Sequence, residues 1–418
     1  MSIVGTNAGV AWAPQVGITS GATNKVADDS ATWRWHPANN LPFAPRQMQA
    51  PLPQELTGSL LPRGTYKSGV WAEGACEFIP RCSATHLNWL FWALCSSQAV
   101  DQVEVSSSPV NAWDYLYGGG TNLTGTYNSA GVFTATTTVG SNRNELDRYL
   151  AVKRLLPPDE SGNYRGEVIL DARVAALSLR AVPTQPLTMT AGFLARRPTW
   201  YQSANVMSGG ALLSHWDPAT RTLGSQIPGL PNNDFFTSCV GDIDIGAKST
   251  ADLSAATVEV VIAPNLTTPQ QEQVLFDYYP EMFRTTSWNV GVNIIIRKGV
   301  YDLYDSIFFN DSATEGADWS PVVWSSGKPF YVHFANANPD YIVSGVSAEL
   351  GFYARQISWQ MEPIAFTPGQ LTAVRISGVV EDPGDGKVAW CLRHRAARNP
   401  DKDENAASSP GFMTTWPS

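Results

Sequence analysis

Lys67-Ser68-Gly69-Val70-Trp71-Ala72-Glu73-Gly74-Ala75-Cys76-Glu77-Phe78-Ile79-Pro80 is the stretch from which the fold can be read. Trp71, Glu73, Ala75, Glu77 and Ile79 alternate with Ala72, Gly74, Cys76 and Phe78, the period of a β-strand with one polar face. Pro80 ends it. Ser83 then offers an N-cap, and Leu87, Leu90, Phe91 and Leu94 recur at helical spacing, so a helix is predicted to run to about Cys95. The unit is a strand, a tight connection and a helix.

Working outward, residues 1–32 are small and polar and read as an N-terminal arm that cannot fold alone. Prolines crowd the stretch from Pro37 to Pro62, which predicts an ordered loop or an arm at a strand edge. Beyond Gly118-Gly119-Gly120, strand-like runs fall at 132–139, 149–155, 164–170, 175–182 and 187–194. Residues 198–233 carry scattered Pro and Gly without periodicity and read as a linker or projecting loop; 395–418 read as a polar tail.

The plan then recurs. Val258, Val260 and Ile262 alternate with Thr257, Glu259 and Val261 up to Pro264. Thr268, Pro269 and Gln271 form a capping-box pattern, and Val274, Leu275, Tyr278 and Met282 line up as the stripe of a helix over 268–283. Strands are expected at 288–297, 300–309, 330–334, 355–361, 371–380 and 388–393. Ser83 and Thr268 are 185 positions apart, and Ser178 to Pro183 matches Ser358 to Pro363 at an offset of 180, which indicates a duplication. The predicted fold is mainly β: two tandem β-sandwich domains, 33–197 and 234–394, each with one packed helix.

Composition narrows the function classes. The chain has 418 residues, enough for two cores, with 43% apolar and only 16% charged residues. Its 15 Trp, 14 Tyr and 16 Phe suit either β-rich cores or large intersubunit contacts. Net charge is -9, and the one basic patch, Arg393, His394, Arg395 and Arg398, is followed by Asp401, Asp403 and Glu404, so tight nucleic-acid binding is not expected. Five cysteines in no ligand spacing indicate neither a disulfide framework nor a zinc site. Neither a signal peptide nor a membrane span is expected.

Catalytic patterns are missing as well. Gly327-Lys328 and Gly386-Lys387 lack the phosphate-loop glycine; Asp242, Asp244 and Gly246 lack calcium-loop spacing and read as a strand with Ile243 and Ile245 on its other face. Cys76 and Cys82 near His86, and Glu73 with Glu77, are explained by a buried thiol and a polar sheet face. No catalytic residue, cofactor or metal is expected.

The stretch Pro62-Arg63-Gly64-Thr65-Tyr66-Lys67 running through Phe78 into the helix resembles the tail tube proteins of siphophages, as do Leu179-Arg180-Ala181-Val182-Pro183 and Phe193-Leu194-Ala195 with their second-half counterparts. The resemblance covers roughly 33–197 and 234–394. It implies a non-enzymatic virion protein with two fused tube domains, assembled in the host cytoplasm. Three chains would then make a ring equivalent to a hexamer of single-domain relatives. The implied partners are other copies of the chain, the tape measure protein, the tail terminator and distal tail proteins, with DNA passing through. A distal tail or baseplate hub protein, or a β-sandwich that binds or cleaves carbohydrate, is the alternative. Strand alternation and the chain's acidity together lead to the expectation that Glu73, Glu77, Asp242, Asp244 and Glu259 face the lumen or its rim.

Overall fold

A computed structural model of the chain describes residues 9–16, 33–36, 38–52, 64–81, 87–94, 102–104, 113–119, 123–127, 133–138, 148–218, 235–246, 253–309, 329–336, 342–343, 346–347, 349–364, 373–383 and 389–396. The first-half strands are β1 (Gly9–Val16), β2 (Arg34–His36), β3 (Ala38–Asn40), β4 (Ala44–Pro51), β5 (Thr65–Phe78), β6 (Gln102–Glu104), β7 (Trp113–Gly119), β8 (Leu123–Tyr127), β9 (Phe133–Thr138), β10 (Arg148–Leu156), β11 (Arg165–Ala181) and β12 (Thr188–Tyr201). After them come β13 (Met207–Ser208), β14 (Ala211–Leu212), β15 (Gly241–Ile245), β16 (Ser254–Leu266), β17 (Thr285–Lys298), β18 (Phe330–Ala335), β19 (Ile342–Val343), β20 (Val346–Ser347), β21 (Glu349–Ala354), β22 (Ile357–Met361), β23 (Val374–Val380) and β24 (Trp390–Ala396). The helices are α1 (Leu87–Leu94), α2 (Ser203–Val206) and α3 (Val300–Phe309).

The fold is mainly β, as expected, and its sheets are antiparallel. The larger sheet runs β3 and β4 beside β5, then β12, β11, β16, β17, β23 and β22. Below the β16 junction, β10, β1 and β2 extend it from the free edge of β11. A second sheet has the order β15-β18-β21-β24-β7-β6.

One pairing pattern occurs twice. β11 pairs with β12 along one edge; on the other it meets β10 over Arg165–Ala172 and β16 over Leu177–Ala181, with its register slipping between Val174 and Ala176. Shifted by 180 places, β21 lies between β18 and β24, and β22 lies on β23; the break between them stands where β11 has its bulge. The order β1-β10-β11-β12 thus reappears as β15-β18-β21-β24, and β4-β5-β12-β11 as β16-β17-β23-β22.

Alternation fills the core. Ala72, Cys76 and Phe78 on β5, Val258, Val260 and Ile262 on β16, and Val290, Val292, Ile294 and Ile296 on β17 all point into one apolar cluster drawn from both halves. Large side chains such as Trp12, Phe78 and Phe91 are wholly enclosed there, and each stabilises the fold by about 2–3 kcal/mol. The Leu87, Leu90, Phe91 and Leu94 stripe of α1 is buried as its spacing predicts.

Four expectations are corrected. Residues 9–16, inside the predicted arm 1–32, form a strand on β10 with Trp12 fully buried, because an arm too weak to fold alone gains a partner strand. Within 198–233, β12 continues to Tyr201 and Trp216 packs onto Gly166, where any Cβ would collide with its ring. The capping box at Thr268 forms, with the Thr268 N–H donating to Gln271 Oε1 at 2.8 Å, but no helix follows. Leu275, Phe276 and Tyr278 have no core beneath them and Pro280 interrupts the run, so 267–284 is a loop joining β16 to β17. The predicted strand 300–309 is instead α3: Gly299, at φ 78°, ends β17, and Val300, Leu303 and Ser306 are buried at helical spacing. The sheet also crosses the expected domain division through β11 and β16, while β6 and β7 join second-half strands. The predicted N-cap Ser83 lies outside the described residues.

Candidate functional site

The side of the large sheet turned away from the core is one polar surface spanning both halves. Glu73, Glu77 and Glu259 all lie on it, as strand alternation requires, since Ala72, Cys76, Phe78, Val258 and Val260 occupy the other side. Asp242 and Asp244 do not join them. Both lie on β15 in the second sheet, opposite His333 and Tyr331.

The polar surface is not acidic throughout. Arg46, Arg180, Arg297 and Arg375 share it. Arg46 meets Glu73 at 3.4 Å, Arg375 meets Glu362 at 3.6 Å, and Arg180 is the register partner of Glu259. Glu73 and Glu362 each neutralise an arginine, so the surface is mixed in charge rather than a negative wall. Net charge could not reveal this, because the arginines stand on different strands from the glutamates they meet.

At the second sheet, burial raises the Asp244 carboxyl above its ordinary range, and the adjacent Asp242 adds to the effect. Oδ1 of Asp244 has no hydrogen-bond partner among the described residues, while Asp242 accepts from the Ile243 N–H at 2.9 Å. A recess of about 460 Å³ nearby is lined by Ala181, Cys239, Asp242, Leu253, Thr257 and His333. Among the described residues no three His, Cys, Asp or Glu side chains gather as a metal site. Glu73 and Glu77 are about 13 Å apart along their strand, beyond the roughly 5–9.5 Å of a glycosidase pair. Burial pushes the Cys76 thiol up to about 12, so it behaves as packing. Cys82 and His86 lie outside the described residues. No described helix is long and apolar enough to cross a membrane.

Two features escaped the sequence reading. The first is a pair of open edges. Among the described residues the outer edges of β22 and of β3 and β4 carry no partner strand. The Glu362 N–H donates to Arg375 O and the Glu381 N–H to Gln356 O, so the even-numbered residues of β22 face β23. The amides and carbonyls of Ile357, Trp359 and Met361 therefore point outward. Shifted by 180 places these are Leu177, Leu179 and Ala181, the residues with which β11 pairs to β16.

The second is the 267–284 loop, which clasps the first half. The Val70 N–H donates to Tyr278 O at 2.8 Å and Arg196 Nε to Pro280 O at 2.5 Å, and the Arg197 guanidinium lies 4.9 Å from the Tyr279 ring centre; just past the loop, Arg173 donates to Oγ1 of Thr285, the first residue of β17, at 3.2 Å. Beneath the loop, Arg196 pairs with buried Asp171 at 3.0 Å, and Gln15 of β1 donates to the same carboxylate. No protein-family model matches the chain, and no curated protein matches it.

Proposed function

We propose that the chain is a self-assembling tail tube subunit with two fused tube domains, three copies of which close a ring around a channel for DNA. The observation that carries this reading is the head-to-tail junction of β11 with β16. It joins the last strand of one four-strand pattern to the first strand of its repeat, and it leaves β22 and the β3–β4 edge as the same two kinds of edge at opposite ends of the chain. Edges of this kind continue from copy to copy and close when the rotation permits.

Magnitudes favour three copies. Each chain offers eight strand positions, so three offer twenty-four. At about 4.8 Å spacing and roughly 40° tilt they enclose a barrel about 48 Å across between backbones, or roughly 35 Å inside the side chains. A B-form duplex of about 20 Å passes that opening with a water layer, whereas two copies leave about 20 Å and no clearance. On the inner surface of such a ring, Arg46 and Arg375, already paired with Glu73 and Glu362, and Arg180, opposite Glu259, would hold a sliding polyanion weakly.

Native mass spectrometry with electron microscopy tests the reading: rings of three chains that stack into tubes are expected. Six chains per ring, or a persistent monomer, contradicts it. Isolated rings that never stack favour a distal tail or hub role. Replacing Glu73 and Glu259 by Gln frees Arg46 and Arg180, and DNA retention by assembled tubes should rise at low salt and fade at high salt. Unchanged retention removes the electrostatic argument.

A further inference from the structure

We infer that Leu275 and Phe276, at the tip of the 267–284 loop, form an apolar knob that seats in the recess of a second copy of this chain lined by Tyr301, Tyr304, Phe308, Pro363 and Ile364. The inference takes its setting from the ring reading, in which it supplies contact between successive rings.

The knob is presented to solvent by a rigid loop. Leu275 is 84% exposed and Phe276 fully so, beside half-exposed Val274 and Tyr278. Phe276 also has a φ of 68°, a left-handed conformation costly for an aromatic residue. Its neighbours hold it there. Gln273 Nε2 donates to Asp277 O at 2.6 Å, the Tyr279 N–H to Asp277 Oδ1 at 3.0 Å and the Glu281 N–H to Glu272 O at 2.8 Å, while Tyr278 O and Pro280 O are anchored on Val70 and Arg196. A loop fixed at both flanks, with its largest apolar side chain aimed outward, loses little freedom when it binds.

The same chain carries a matching hollow. Between α3 and the end of β22 lies a recess of about 520 Å³ whose walls are aromatic, aliphatic or proline. Knob and recess lie at opposite ends of the β16–β17 hairpin, about 45 Å apart. The knob of a chain therefore cannot fill its own recess. Two unlike apolar surfaces, one projecting and one hollow, at opposite ends make a heterologous contact when they meet, which repeats along one direction.

To test this, Val274→Cys chains, which keep the Leu275–Phe276 tip, and Asp305→Cys chains, altered on the exposed side of α3 beside the recess, each with Cys239→Ser and a different tag, are mixed and oxidised by dissolved oxygen. Native mass spectrometry counts the chains per ring in the same samples. A disulfide between differently tagged copies, formed only when both variants are present, is the expected result. The Leu275→Asp, Phe276→Asp double variant should fold and close rings normally but stack about tenfold or more weakly, as expected for loss of one buried aromatic contact. Stacks that form without the cross-link, or that survive the double variant unchanged, overturn the inference and leave the ring reading standing. A cross-link between copies that never form three-chain rings keeps the docking and removes the ring reading. Knob-dependent binding to phosphatidylcholine vesicles without self-association assigns the tip to a membrane and overturns the proposal.

Discussion

His36 stacks on Trp12 at 5.5 Å and meets the edge of Phe78 at 4.6 Å, with Nε2 3.1 Å from Ile79 O. Burial holds its pKa down at about 3, against an ordinary 6.5, and nearby Arg81 adds to the depression. The folded chain therefore disfavours the charged ring. The stability that neutral His36 permits is full above pH 6.5 and is lost as pH falls from 6.5 toward 3, by an amount on the order of a few kcal/mol. Thermal melts of wild type and His36→Phe should diverge across that window, the wild type losing Tm more steeply; parallel curves count against the assignment. Asp244 has the opposite sense. Its raised carboxyl is penalised when ionised, so the penalty is absent below the ordinary carboxyl value and sets in as pH rises through the folded-state pKa. Asp244→Asn should raise Tm at pH 7 and have no effect at pH 3. Equal gains at both values point to a cause other than charge.

Among the elements, the β11–β16 junction is the seam on which the two halves meet, and Arg180 opposite Glu259 is its one charged rung. Arg180→Glu should cost about 0.2–1 kcal/mol and Glu259→Arg a similar amount, while the double reversal recovers most of the loss. Urea unfolding of the four proteins gives the coupling directly. Most of the expected strands were legible because alternation forces one face inward: Ala72, Cys76 and Phe78 of β5 and Val258, Val260 and Ile262 of β16 are buried as their alternation requires. The helices divided. α1 was legible because its apolar stripe has a sheet to cover. The capping box at Thr268 specifies how a turn begins, not whether a core waits beneath it. α3 was read as a strand because Val300, Leu303 and Ser306 span too few turns to separate a helical period from an alternating one. The site was legible in part: Glu73, Glu77 and Glu259 were assigned to a polar face from one strand each, but which strands share a sheet is a long-range fact, and Asp242 and Asp244 went to the other sheet.

For the whole molecule, the offset of 180 between Ser178 and Ser358 marked equivalent strand positions, whereas the offset of 185 from Ser83 led to Thr268, which opens a hairpin loop and not a helix. Because β1 completes the sheet on β10 and buries Trp12, removing residues 1–16 should destabilise the folded chain and reduce its soluble yield, where an independent arm would leave monomer stability unchanged. Circular dichroism melts distinguish the two. At Gly378 a Cβ would stand 2.8 Å from the Trp359 ring and collide with Ile357, so Gly378→Val should cost about 1–3 kcal/mol by prising β22 from β23. In the ring reading it should abolish closure before it abolishes folding; rings with normal yield would show that β22 is not a closing edge. The β7–β24 pair, finally, bears on biosynthesis. One edge of Trp113–Gly119 meets the short β6, which precedes it, but the other pairs with Trp390–Ala396, so β7 leaves the ribosome roughly 270 residues ahead of that partner, a wait on the order of tens of seconds at about 5–20 residues per second. Throughout that interval the nascent chain displays one open strand edge. Translation speed and chaperone cover over this stretch should therefore govern how much of the protein reaches its native form.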